Sequence, residues 1–416
     1  MMKHDVLVLG AGMVGVSCAL HLQQRGLDVA LLDRRNPGEE TSYGNAGIIQ
    51  REAVHPYRFP RELSTLLSVA GNLRLDVRYH ARAVPALLSP LLRYYRNSAD
   101  AAYQPIAAAY ASLIALSLET HESLLADANA QHLLGKRGWL MLFRSDKRRD
   151  EAFADADKLT ALGVNHRKLD GAQLQAQEPA LRERLSGAIH WTDPLTVRDP
   201  GDLVKAYARL LFQRGATELR GDATTLRPLP DGGWQVQTAS GEWVSARQVV
   251  VALGPWSTQL TGDFGFRPPL FVKRGYHQHF RDDSPHPLQH WMLDEERGYL
   301  LAPMARGVRI TTGAELTHID APATPTQLSA VEPIARSLVS LGSAVEPQPW
   351  KGARPCLPDM KPLIGAVPGK PGMWCAFGHG HQGFTLGPAT GMLLAQLMTG
   401  ERSAIEMAPF SPARRF

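Results

Sequence analysis

The stretch Asp5-Val6-Leu7-Val8-Leu9-Gly10-Ala11-Gly12-Met13-Val14-Gly15 constrains this chain more than any other. Val6 to Leu9 is an unbroken apolar run, as expected of a parallel strand covered on both faces. It leads straight into G-x-G-x-x-G, and Met13 to Arg25 continues with helical periodicity. In such a turn Gly10 permits the tight reversal, Gly12 leaves room for a pyrophosphate, and Gly15 lets the helix lie against the strand. The first helical N–H groups face the phosphates, which puts Ala11, Met13 and Val14 beside the glycines as candidate contacts. A second strand, Asp28 to Leu32, ends in Asp33, whose carboxylate suits a ribose 2′-hydroxyl. Asp33 lies 18 residues beyond Gly15, against about 20 in dinucleotide folds. Strand, glycines, helix, strand and terminal acid together predict a dinucleotide site.

A chain of 416 residues exceeds one ordinary core, so two domains are expected. No uninterrupted apolar run approaches the 18 or so residues of a membrane span, and the short N-terminal strand does not read as a signal peptide. Cys18, Cys356 and Cys375 form no C-x-x-C pair, which argues against a disulfide scaffold or a zinc site. Reduced thiols in a cytoplasmic enzyme are the expectation, with contact at the inner face of the cell membrane as an addition. The net charge of +5 is dispersed and no nucleic-acid motif occurs, so no nucleic-acid partner is expected.

Thr41 to Ile49 is too rich in glycine and small polar residues for a regular element. Ser42, Asn45, Ala46, Gly47 and Ile48 read as a loop that approaches a ligand closely. Arg51 to Asp100 interleaves Arg58, Arg61, Arg74, Arg78, Arg82, Arg93 and Arg96 with leucines and the Tyr94-Tyr95 pair. That pattern fits a membrane surface or an ordinary amphipathic helix. Ile106 to His132 reads as one long helix. Asp199 and Pro200 read as cap and first residue of a helix to Arg214. Further on, short strands are expected at Asp222 to Arg227, Trp243 to Ala246 and Gln248 to Leu253. The last of these stops at Gly254-Pro255-Trp256, a second strand-to-glycine junction. Strands dominate Phe266 to Ile319 and suggest a separate antiparallel layer.

The final segment returns to ligand chemistry. Trp350 to Asp359 contains Gly352-Ala353-Arg354-Pro355, and a strand from Met373 to Phe377 runs into Gly378-His379-Gly380-His381-Gln382-Gly383-Phe384 and a helix. A nicotinamide enzyme has no evident need of glycine-rich junctions at both chain ends. A flavin enzyme does, because one holds the pyrophosphate and the other stabilises charge on the reduced ring.

On these motifs the chain resembles the D-amino-acid oxidase superfamily of flavoproteins, and within it the bacterial D-amino acid dehydrogenases. The similarity runs over nearly the whole length and is tightest at Val6–Gly15, Thr41–Ile49, Ala252–Thr258, Gly352–Gly365 and Gly378–Gly400. The resemblance implies an α/β fold: a discontinuous Rossmann-type FAD domain (1–52, 196–262 and 346–416) beneath an α+β substrate domain with a mainly antiparallel sheet (53–195 and 263–345). It implies hydride transfer from the substrate Cα to flavin N5, hydrolysis of the imino acid to keto acid and ammonia, and electrons passed to a quinone or another respiratory acceptor. Cyclic substrates such as D-proline or hydroxyproline are among those it suggests. Arg354 matches the arginine that grips the substrate carboxylate; Tyr299, Tyr276 and His379 fall where relatives place substrate or flavin contacts. Arg34, Thr224, Gly254, Trp256, Gly352, Gly378, Gly380, Gln382, Gly383 and Phe384 are implied to line the cofactor. His55 and Tyr57 are candidate lid residues. Some relatives tether flavin through a cysteine, but that position is Gly352 here, so non-covalent FAD is expected. The competing readings are an oxygen-using glycine or sarcosine-type amine oxidase and a flavin-bearing subunit without catalysis.

Overall fold

The computed structural model describes residues 3–416. Its first sheet forms where the sequence is most apolar. His4–Leu9 lies between Val29–Asp33 and Trp243–Val251, all parallel, with Val6 to Leu9 wholly buried. Thr217–Arg220 extends the sheet beyond Val29–Asp33, and Met373–Phe377 joins the far side of Trp243–Val251, both parallel. Leu363–Ala366 closes that edge antiparallel. The two strands expected on either side of Arg247 are one, Trp243–Val251. Its first residues pair antiparallel with Trp234–Gln237 and its last with Met373–Phe377, so one strand serves two ladders. The strand expected at Asp222 to Arg227 is mostly a 3-10 turn, Ala223–Thr225. Asp222 caps it, accepting from the Thr224 N–H at 2.9 Å and the Thr224 hydroxyl at 2.8 Å.

Met13–Gln23 packs on the C-terminal helix Gly383–Thr399. The approach depends on missing side chains: a Cβ at Gly391 would sit 2.5 Å from the Ser17 backbone, and one at Gly387 2.5 Å from Met13 Cγ. The helix expected over Ile106 to His132 is in fact two, Asp100–Ala115 and Ser117–Asp127. The Thr120 hydroxyl donates to the carbonyls of Leu116 (2.7 Å) and Ser117 (3.2 Å), a back-bond that bends helices. By length and composition the stretch Asp100–Asp127 is apolar enough to cross a membrane, which corrects the sequence reading. In this fold one face of it packs into the core. Tyr110, Leu113, Ile114, Leu124 and Leu125 are buried in it, and His121 bonds the Phe384 carbonyl at 2.9 Å.

The second sheet has eleven strands and is mainly antiparallel. Parallel pairs join Trp139–Phe143 to Trp291–Asp294 and Val77–Tyr79 to Ala314–Leu316. Trp350–Cys356, placed by the sequence reading in the FAD domain, is a strand of this roof. It pairs in unbroken register with the long strand Phe271–Asp282, from Phe271↔Cys356 to His277↔Trp350. Side chains alternate between faces. The inner face, with Trp139, Trp191, Trp291 and Ala302, is continuous with the core of the nucleotide domain. The outer face, with Phe280, Tyr299, Leu301 and Ile310, packs separately against Thr326–Leu338.

Candidate active site

The three glycines of the N-terminal turn have different causes. Gly10 has φ +108°, and a Cβ there would lie 2.4 Å from the Ala252 carbonyl oxygen. At Gly15 a Cβ would lie 1.8 Å from the Gly10 oxygen. Both are demanded by the protein itself. At Gly12 the nearest atom is Ser42 Oγ at 3.3 Å, so the bare backbone there faces the cleft. Asp33 braces the turn while facing the same cleft: its carboxylate accepts from Ala11 N at 2.7 Å and from Arg35 N at 3.0 Å. Ser42 Oγ accepts from Met13 N at 3.0 Å and ties the loop to the helix entry.

The resulting cleft has a volume of about 370 Å³. Gly10, Gly12, Met13, Val14, Asp33, Arg34, Ser42 and Asn45 line one side, with Thr224, Gly254 and Trp256 at the next strand ends. Gly352, His379, Gly380, Gly383 and Phe384 complete it from the C-terminal segment. The Arg34 guanidinium lies 5.4 Å from the Trp256 ring. Helix N–H groups, bare backbone at Gly12 and the acid at the second strand end fit a dinucleotide. Other expected contacts stand behind this wall. A Cβ at Gly47 would meet the Val197 oxygen at 2.3 Å, and Gly378, at φ +88°, abuts Leu357. Gln382 Nε2 donates to Gln50 Oε1 at 2.7 Å. Ala46 and Ile48 line the neighbouring cavity instead.

That cavity, about 1520 Å³, lies under the roof. Gly44, Asn45, Thr311, Arg354 and His381 line both spaces and so mark their junction. Arg354 Nη1 donates to the Gly313 carbonyl at 2.8 Å and Nη2 to that of Thr312 at 3.2 Å. No carboxylate pairs with it among the described residues. Its guanidinium lies over Gly275, where a Cβ would come within 2.7 Å of Nη2. Burial lowers the His381 pKa to about 3, helped by Arg354 and Lys273, and the imidazole is neutral. Tyr57 meets His381 edge-on at 4.8 Å, and His55 and Tyr57 both line the cavity.

Of the expected substrate contacts, Tyr276 lines the cleft and Tyr299 the cavity, and both take outer-face positions on their strands. Tyr299 is buried in the outer core opposite Asp294. The Tyr276 hydroxyl donates to Glu315 Oε2 at 2.8 Å, within the buried Arg274–Glu315 pair. His379 lines the cleft, but its Nε2 is bonded to Thr390 Oγ1 at 2.9 Å, and burial brings its pKa to about 3. Sequence reasoning missed Trp350, whose indole stacks on His277 at 4.8 Å between Gly44 and Gly352. A Cβ at Gly44 would lie 1.8 Å from that ring and one at Gly352 2.0 Å, so both glycines make room for tryptophan. It also missed Glu52, a buried carboxyl that accepts from Trp139 Nε1 at 3.0 Å and Gln50 Nε2 at 2.8 Å.

A dinucleotide-type cleft beneath a second sheet, with an arginine unpaired among the described residues where cleft meets cavity, fits a redox enzyme of the flavin type. A family profile described as FAD dependent oxidoreductase matches residues 5–397. The chain is 30% identical over 98% of its length to a D-amino-acid oxidase of Bradyrhizobium diazoefficiens, 98% of which is covered. It is 31% identical to a D-amino acid dehydrogenase of Cereibacter sphaeroides, over 97% of this chain and 93% of that one. Among solved structures, glycine oxidase from Geobacillus kaustophilus superimposes over 100% of both chains with TM-score 0.75 at 23% identity. L-proline dehydrogenase from P. horikoshii does so over 99% and 97%, with TM-score 0.75 at 17% identity. The chain belongs to the family of FAD-dependent oxidoreductases.

Proposed function

We propose that the protein oxidatively deaminates D-amino acids and passes the electrons to a quinone or similar respiratory acceptor. One observation carries the reading: the Arg354 guanidinium, held by backbone carbonyls at the junction of cleft and cavity, has no carboxylate of its own. A planar fork in that position takes a substrate carboxylate and fixes Cα towards the cleft. The bare backbone at Gly12, the helix entry at Met13 and the Asp33 carboxylate would hold FAD in the cleft, where it would supply the acceptor for one hydride, two electrons in all, from Cα. The amine loses its proton, and water hydrolyses the resulting imino acid to keto acid and ammonia. His381, neutral and beside Arg354, adds no charge to compete for the carboxylate. The cofactor is non-covalent, because Gly352 offers no sulfur. The names of the relatives support the substrate class, since both oxidases and dehydrogenases among them act on D-amino acids.

For the acceptor, the support is a surface. Of the ten exposed large apolar residues among those described, seven, Tyr57, Leu63, Leu67, Leu73, Val84, Leu88 and Leu92, lie between positions 57 and 92, and Leu162, Trp243 and Val345 lie apart from them. Val84, Leu88 and Leu92 form one outward stripe of Val84–Asn97, while Leu87 and Tyr94 pack inward. Arg58 and Arg74 are paired with Asp100 and Asp76, but Arg82, Arg93 and Arg96 have no acidic partner among the described residues. Apolar side chains ringed by free arginines suit an anionic membrane surface, where a quinone resides.

Arg354→Ala tests the substrate reading. Losing one partner of a desolvated ion pair costs roughly 3–5 kcal/mol, so kcat/KM should fall by at least about a hundredfold. Arg354→Lys should recover part of it, lacking the fork. Turnover within a few-fold of wild type, with FAD bound, would remove Arg354 from the site.

A further inference from the structure

The cavity under the roof holds one more cation than the reaction of a simple amino acid needs. Lys273 and Arg354 face each other across the two roof strands, in register and on the inner face. Directly opposed residues of an antiparallel pair have Cβ atoms about 5 Å apart. The other basic residues lining this cavity have acidic partners. Arg58 pairs with Asp100, Arg74 with Asp76, Arg148 with Glu295 and Lys158 with Asp155. Asp76, Glu295 and Asp155 are also the acidic residues of the lining, so each is already spoken for. Lys273 and Arg354 have no carboxylate partner among the described residues.

The surroundings of Lys273 supply no negative charge. Its Nζ lies 3.4 Å from the Tyr94 hydroxyl and 4.6 Å from the centre of that ring. The Tyr94 hydroxyl is itself committed, donating to the Tyr57 carbonyl at 2.5 Å. Burial pushes up the pKa values of Tyr94 and of the nearby Cys356 thiol, so both are neutral at physiological pH. His381, the remaining titratable neighbour, is neutral too. Two desolvated positive charges therefore await two negative ones. When hydride leaves Cα, the substrate amine is uncharged, and a monocarboxylic amino acid carries a single negative charge. A dicarboxylic amino acid carries two.

We infer that the preferred substrate is an acidic amino acid, with its α-carboxylate on Arg354 and its side-chain carboxylate on Lys273 and the Tyr94 edge. This rests on the amino-acid reading above and sharpens it. Cyclic and aliphatic amino acids, which lack a second anion, leave Lys273 unmatched.

The holoenzyme tests this with matched pairs. D-Glutamate and D-glutamine have nearly the same shape, so wild type should favour D-glutamate in kcat/KM by at least about tenfold. Lys273→Met should bring that ratio close to one, and Lys273→Arg should restore much of it. Lys273→Gln serves if the methionine variant loses FAD. Equal use of D-glutamate and D-glutamine by wild type overturns the inference. So does an equal loss on both substrates in Lys273→Met, since Lys273 would then share the α-carboxylate. Binding of unreactive acids separates this claim from the function reading. Glutarate should perturb the flavin absorbance at lower concentration than butyrate, and the difference should vanish in Lys273→Met. If no amino acid reduces the flavin while glutarate keeps its Lys273-dependent advantage, the deamination reading fails and the two-anion site stands. If several D-amino acids reduce the flavin but butyrate binds as well as glutarate, the function stands and the acidic preference fails.

Discussion

Glu52 carries the clearest pH signature of any single residue. Burial pushes its pKa up to about 7, against hydrogen bonds from Gln50 and Trp139 that favour the charged form. In the unfolded chain the group has an ordinary carboxylate pKa, so between about 4.5 and 7 the folded state binds the extra proton. Its contribution therefore destabilises the fold as pH rises through that window. Glu52→Gln keeps an acceptor for the Trp139 indole and removes the titration. The variant should gain stability relative to wild type as pH rises, by on the order of 3 kcal/mol at pH 8, with little difference at pH 4.5. Denaturant melts at the two values measure this, and a variant that is less stable at pH 8 contradicts it. Arg354 was singled out through the family resemblance and not from its residues alone, since an arginine in G-x-R-P reads by itself as a structural ion-pair residue; the structure gives it no acidic partner among the described residues. The strand face that Tyr276 and Tyr299 take was not legible, because a strand one residue out of phase presents the opposite face. The phase of Phe271–Asp282 is set by pairing with Trp350–Cys356, a partner distant in sequence, and that of Tyr299–Met304 by its hairpin neighbour Trp291–Asp294.

The nucleotide turn offers a cleaner contrast among elements. Gly15 is pressed on the Gly10 carbonyl, whereas Gly12 borders open cleft apart from Ser42 Oγ. Gly15→Val should unfold or fail to accumulate, through a backbone clash. Gly12→Val should fold with wild-type circular dichroism but retain little FAD, because its side chain fills the pyrophosphate position. If Gly12→Val keeps stoichiometric flavin, the turn does not hold the phosphates. This element was readable in full, since strand, glycines and helix are adjacent in sequence. The long helix was misread at Leu116–Ser117 because composition does not reveal where a threonine hydroxyl will bond backwards. The glycine face of the C-terminal helix was missed for a related reason. Gly387 and Gly391 fall in an apolar run, and their meaning appears only against Met13 and Ser17.

At the scale of the whole molecule, the sequence suggested two layers from its apolar and alternating segments, but not which strands join them. Trp350–Cys356 is a roof strand that carries Arg354 to the cleft, and it therefore ties substrate geometry to cofactor geometry. The arginine-rich surface makes a further claim at this scale. Each basic residue near an anionic bilayer contributes about 1 kcal/mol, and the effect is screened by salt. The protein should co-sediment with anionic liposomes at low salt and be released as salt rises. Arg93→Glu with Arg96→Glu should weaken that binding and slow quinone reduction in membranes while dye-linked turnover persists. Equal binding to neutral and anionic vesicles, or none to either, would contradict the surface assignment. The central claim is that FAD in the cleft receives hydride from a D-amino acid held by Arg354. Anaerobic mixing of the holoenzyme with enantiomer pairs, followed at the oxidised flavin absorbance band, tests it most directly. Bleaching by D-amino acids, much faster than by their L-enantiomers and lost in Arg354→Ala, is the expected result. A flavin that stays oxidised with every D-amino acid, or that L-enantiomers bleach as fast, would contradict it.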